Sequence, residues 1–234
     1  MSHTMKTTAK FSLLAACAAL AILLGVGMGS VFIPTSQVGS ILIHRMFGLP
    51  MPEAIDPVYP AMIFNMRLPR VLLAFLTGAA LSVSGTVMQS VLRNPLASPF
   101  GLGVSAGAGL GAAIIIAAGI SSGLLGAFLM PAVSLSFAMI TVVLVVGFAT
   151  RMDRMLSNTT IVLIGMVVSL FLNAIISMLS TLSPSNAQRI SLWTLGSFSM
   201  KEWDQVFALA PVTLLCIAFF LRFSREMDVM TFGE

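Results

Sequence analysis

From Asn94 to Thr150 the chain runs for 57 residues without an Asp, Glu, Lys or Arg. A water-soluble domain, with about a quarter of its residues charged, does not produce such a run. Two crossings of a bilayer do, because each needs roughly 20 apolar residues to cover about 30 Å of hydrocarbon. A proline-marked polar turn, Arg93-Asn94-Pro95-Leu96-Ala97-Ser98-Pro99, opens the stretch, and Gly119-Ile120-Ser121-Ser122-Gly123 breaks it. The composition agrees, with 58% hydrophobic residues, 9% charged residues and a mean hydropathy of +1.03.

Charges and turn residues divide the chain into six apolar segments, near 11–33, 71–92, 100–118, 124–150, 158–182 and 205–221. The sequence therefore predicts an all-α polytopic transmembrane bundle of about six membrane helices, forming a single domain over residues 1–234. Lys6 and Lys10 before the first run resemble the start of a signal peptide, but the run is too long for one and reads as a retained helix. Residues 34–60, with Pro34, Pro50, Pro52, Pro57 and Pro60, are too broken by proline for a span. Pro131 marks a place where the fourth span can bend, and Trp203 an interface end of the sixth.

Basic residues orient the set. With the N-terminus inside, Lys6, Lys10, Arg93, Arg151, Arg154, Arg222 and Arg225 are cytoplasmic and both chain ends lie inside. Arg45, Arg67, Arg70, Arg189 and Lys201 are then outside, and Arg67 and Arg70 need an explanation. Proline at 69 suits the first turn of a helix, and the two arginines, three apart, share a face. They either snorkel to the headgroups or form a basic platform for an acidic partner.

Gly103, Gly107 and Gly111 recur every four residues, the spacing that lets two membrane helices approach closely. Gly78, Ser82, Gly85 and Gln89 form a similar face, also assigned to packing. In the fifth span Asn158, Ser169, Asn173, Ser177 and Ser180 fall on one stripe about 33 Å long. Such a stripe serves hydrogen bonding between helices or forms the wall of a polar passage, and neutral hydroxyls and amides suit a bulky polar solute better than a bare ion.

Several function classes are excluded. The net charge of +4 is not gathered in a basic cluster, which argues against nucleic acid. Cys17 and Cys216 each lie in an apolar segment and offer neither a disulfide framework nor metal-ligand spacing. No span holds a charged residue of the kind proton-driven carriers use. No nucleotide-binding or hydrolase motif occurs, so no enzymatic centre, metal site or cofactor is expected in this chain.

Arg67-Leu68-Pro69-Arg70, the run from Thr77 to Gly85, and the Arg93–Pro99 turn with Leu102-Gly103-Val104-Ser105-Ala106-Gly107 together resemble the FecCD-type permease subunits of bacterial importers for iron chelates and vitamin B12. Trp193-Thr194-Leu195-Gly196-Ser197 and Phe232-Gly233-Glu234 resemble later landmarks of that family. The resemblance implies an inner-membrane ABC transporter permease of ten helices. It works with a second permease subunit in a homo- or heterodimer, with ATPase subunits that bind ATP and Mg, and with a periplasmic or lipid-anchored substrate-binding protein. It implies that Arg67 and Arg70 face glutamates of the binding protein, that the fifth helix lines the passage through Ser169, Asn173, Ser177 and Ser180, and that Asn158 and Thr159 form a cytoplasmic gate. The family pattern there tends towards small hydroxyl residues, from which Asn158 departs. Against ten helices the chain ends after six, so it is expected to be a fragment or truncated product that does not transport alone. The expected cargo is an iron–siderophore complex, ahead of haem or vitamin B12. The alternative is a secondary carrier or channel for a small polar solute.

Overall fold

The structure, a computed structural model, describes residues 3–52, 55–95, 97–120, 123–153, 157–199 and 202–232. Leu96, Ser121, Ser122, Arg154, Lys201, Gly233 and Glu234, named above, lie outside them. The described residues are helical with no strand. Among the described residues five helical runs are long and apolar enough to cross a membrane: Thr8–Gly27, Val58–Val91, Leu129–Met152, Asn158–Leu182 and Trp203–Arg222. A sixth apolar helix, Val104–Ala117, is shorter. The chain divides into two compact units, residues 1–80 with 198–217, and residues 81–197 with 218–234.

In the first unit, helix α1 (His3–Gly27) is followed by α2 (Thr35–Met46) and α3 (Val58–Met62). A π turn, Ile63–Arg67, then leads directly into α4 (Leu68–Val91). The helical run that carries the second span therefore starts at Val58, earlier than the expected 71 and inside the stretch 34–60 read as broken by proline, and Pro69 lies inside the run and not at its start. Helix begins at Val58, because Pro57 and Pro60 sit in or beside its first turn, where backbone N–H groups have no intrahelical partner.

Pro69 lies well inside that run. Proline supplies no N–H, and in a regular helix its ring clashes with the carbonyl four residues back. The π turn accommodates it: the Leu68 N–H bonds to the Ile63 carbonyl, five residues back instead of four. That shift leaves the Phe64 carbonyl without a backbone donor, since its α-register donor is diverted and its π-register donor would be Pro69. The indole N–H of Trp203 fills the vacancy at 2.9 Å. Trp203 opens α9 (Trp203–Arg222) and stacks on Phe207 at 5.6 Å. Ile63 is fully buried with Val26, Ile33, Val38 and Ile41, so the turn is anchored from its apolar side as well.

In the second unit the expected third span, 100–118, resolves into three pieces: a 3-10 turn (Pro99–Leu102), a left-handed Gly103 with φ 75°, and α5 (Val104–Ala117). At 14 residues α5 is only about 21 Å long. Nine of its residues are buried, surrounded by α6 (Gly123–Met152), α7 (Asn158–Leu182) and α8 (Pro184–Leu195). Close approach requires its glycines. A Cβ on Gly107 would lie 2.9 Å from the Phe137 carbonyl and against Thr141, and one on Gly111 would lie 2.9 Å from the Val133 carbonyl. A Cβ on Gly165 of α7 would run into the Gly101 carbonyl, which fixes where the 3-10 turn crosses that helix. By contrast, a Cβ on Gly78 or Gly85 meets nothing within 4 Å, so these two glycines make no close helix contact among the described residues. Helix α10 (Ser224–Phe232) follows α9.

Candidate functional site

A cavity of about 240 Å³ opens between α5, α7 and α8 in the second unit. Ser105, Ser169, Asn173 and Thr194 give it polar groups, and Phe100, Ile176 and Trp193 give it apolar walls. Among the described residues no charged side chain lines it. The Ser169 hydroxyl donates to the Gly165 carbonyl at 2.7 Å, which directs its lone pairs outward. Ser169 also sits beside Gly103, whose missing side chain would be 2.9 Å from its Oγ. Asn173 makes no hydrogen bond to protein among the described residues, so its amide N–H groups and carbonyl are free to bind a solute.

The rest of the predicted stripe divides. Ser177 is exposed and Ser180 donates to the Ile176 carbonyl at 3.0 Å; neither lines the cavity. Ser105, Trp193 and Thr194 do line it, and the stripe on α7 alone could not have shown that they are neighbours. Asn158 is at the start of α7, where its side-chain amide donates to the Leu92 carbonyl just past α4. Thr159 is exposed beside it. Around them Asp153 accepts from the Ser157 N–H at 2.9 Å and from the Thr160 hydroxyl at 3.1 Å, while Ser157 caps α7. A serine placed just before a long apolar run signals that cap in the sequence. The Asp153 and Leu92 partners have no such signal.

The arginine pair has two fates. Arg67 Nη1 donates to the Val26 and Gly27 carbonyls, each at 3.0 Å, and Nη2 donates to the Val31 carbonyl. The guanidinium thus caps the C-terminal end of α1, where carbonyls lack helical donors and a cation is favoured by the dipole. Arg70, in the first turn of α4, is exposed. Both border a second cavity of about 530 Å³, with Met28, Met62 and Met66 on its walls.

Long apolar helices, a neutral polar cavity among three helices and a basic helix start define the class: a multi-pass helical membrane protein. Likeness to known proteins gives the family. Residues 17–234 match the FecCD transport family, and the chain belongs to it. It is 39% identical over 216 residues to the uncharacterized ABC transporter permease protein YvrB of Bacillus subtilis (strain 168), covering 92% of this chain and 61% of that one. It is 34% identical over 215 residues to the molybdate import system permease protein MolB of Haemophilus influenzae, covering 91% and 60%. Among solved structures it resembles a chain of an ABC transporter provisionally assigned to the metal-chelate type, in an inward-facing conformation. The TM-score there is 0.74 at 27% identity, covering 93% of this chain and 63% of that one. Other relatives are named for import of vitamin B12, iron chelatin and iron(3+)-hydroxamate. The chain spans about 60% of the length of the first two relatives.

Proposed function

We propose that this chain belongs to the membrane-spanning permease subunit of a binding-protein-dependent ABC importer, and that its cargo is an iron–siderophore or related iron chelate. In this reading it lies in the bacterial inner membrane beside a second permease subunit. ATPase subunits hold ATP and Mg and perform the hydrolysis, and a periplasmic or lipid-anchored binding protein docks on the face that carries Arg67 and Arg70. Residues 1–10 and 222–234 face the cytoplasm, as do the gate residues Asn158 and Thr159. Gly103, Gly107 and Gly111 hold the passage wall together.

The cavity lined by Ser105, Ser169, Asn173 and Thr194 is the observation that carries the reading. A bare oxyanion such as molybdate is best held by fixed cations or converging N–H donors, and among the described residues no cationic side chain lines the cavity. A chelated metal instead presents an organic shell of carbonyls, hydroxyls and hydrocarbon. Neutral amide and hydroxyl groups beside Phe100 and Trp193 match that shell and do not bind it so tightly that it cannot leave.

Uptake measurements test the assignment. Cells from which the gene has been deleted should lose uptake of labelled ferric siderophore and keep uptake of vitamin B12 and molybdate. Loss of either of the latter with ferric siderophore uptake intact contradicts the cargo. Ferric siderophore uptake that continues when the partner ATPase is inactivated favours a secondary carrier instead.

A further inference from the structure

Three features of the first unit meet at the Phe64 carbonyl. Pro69 removes the backbone donor that the π register would offer it, the π turn diverts the donor that the α register would offer, and the Trp203 indole N–H replaces both from 139 residues away. The Phe64 ring is held too, with the Arg45 guanidinium carbon 5.8 Å from its centroid. On the same turn Arg67 points inward and is bonded to three carbonyls at and after the end of α1, while Arg70, three residues on, is exposed.

We infer that Trp203 is a positioning residue for the basic face: its N–H holds the π register, which keeps Arg67 turned in on α1 and leaves Arg70 as the arginine presented to a partner. A change of register by one residue rotates the helix before the turn by about 100° relative to the helix after it. Arg67 could not then keep its carbonyl partners while Arg70 kept its outward direction. The two arginines have different work: Arg67 ties α1 to the turn, and Arg70 carries the charge that recruits. Only the recruiting step rests on the docking role proposed for this face. The link between Trp203 and Pro69 does not.

Two substitutions separate the donor from the ring. Pro69→Ala restores the backbone N–H that serves the Phe64 carbonyl in the π register, and in the α register the Leu68 N–H serves it, so the substitution should make the Trp203 N–H dispensable. Trp203→Phe keeps an aromatic ring to stack on Phe207 and removes only the donor. In the intact protein purified in detergent, Trp203→Phe should lower Tm by roughly 3–8 °C, as expected when one part-buried carbonyl loses its donor. In a Pro69→Ala background the same change should cost about 1 °C or less. Equal losses in the two backgrounds overturn the inference, because a purely packing role for the ring predicts them. If Pro69→Ala yields no folded protein, Trp203→His, which retains a ring N–H, should melt closer to wild type than Trp203→Phe does; a His variant no better than Phe overturns the inference equally.

Partner affinity separates the two layers. Arg70→Gln should weaken binding of the substrate-binding protein about tenfold, with a smaller loss at high salt. Trp203→Phe should weaken it about fivefold, and Pro69→Ala should restore it. Unchanged binding by Arg70→Gln removes the docking role alone, whereas additive melting losses remove the positioning role alone.

Discussion

Gly107 shows how a single missing carbon determines packing in this protein. A Cβ there would press on the Phe137 carbonyl and on Thr141, and a backbone neighbour cannot swing aside as a flexible side chain can. Gly107→Ala should therefore destabilise by about 1–3 kcal/mol, the usual cost of overpacking. Gly78→Ala meets open space on α4 and should instead raise stability by up to about 1 kcal/mol, through the helix preference of alanine. Thermal melts of the two variants check the pair, and equal shifts would contradict the difference in packing. The spacing of Gly103, Gly107 and Gly111 was legible in the sequence, but so was the similar spacing at Gly78 and Gly85. Only the presence or absence of a neighbour separates them, and spacing carries no information about neighbours. The same is true of Arg67 and Arg70, which the sequence offers as a pair and the fold divides.

At the scale of elements, the helix bounds were most legible where local chemistry sets them. Helix α7 begins after Ser157 and ends before Ser183-Pro184, and its bounds coincide with the predicted 158–182. The start of the α3 to α4 run was not legible. Its prolines read as breakers, and the compensation for Pro69 comes from Trp203 through a bond that no local pattern encodes. The end of α4 adds a further unpredicted feature. There Asn94 N–H bonds to the Gln89 carbonyl and Arg93 N–H to the Ser90 carbonyl, with Arg93 at φ 44°. This is a Schellman end with arginine in the left-handed position that glycine normally takes. Arg93→Gly should relieve that conformation and raise stability by about 0.5–1.5 kcal/mol, read as a higher Tm. A lower Tm would mean that the arginine side chain makes a contact worth more than the backbone cost. Asn158→Ala, which removes the donor to the Leu92 carbonyl beside it, should lower stability by about 1–2 kcal/mol.

The whole molecule exposes apolar side chains on nearly every long helix, among them Phe11, Leu135, Val143, Leu170 and Phe171. So large an apolar exposure marks surfaces covered by lipid or by other membrane helices. Val143 is 68% exposed near the middle of an apolar run, so Val143→Lys should cost about 2.5–3.5 kcal/mol of insertion free energy. A sharply lower yield of membrane-inserted protein would report it, and a normal yield would place Val143 beside water or a polar partner. The central claim is that the cavity around Asn173 is the route of a polar cargo, and substituted-cysteine accessibility tests it most directly. In a Cys17→Ser/Cys216→Ser background, Asn173→Cys should react with a charged, membrane-impermeant thiol reagent, and the modification should block ferric siderophore uptake. Val143→Cys on the apolar surface should neither react nor affect uptake. Uptake that proceeds unchanged through fully modified Asn173→Cys protein would contradict the account.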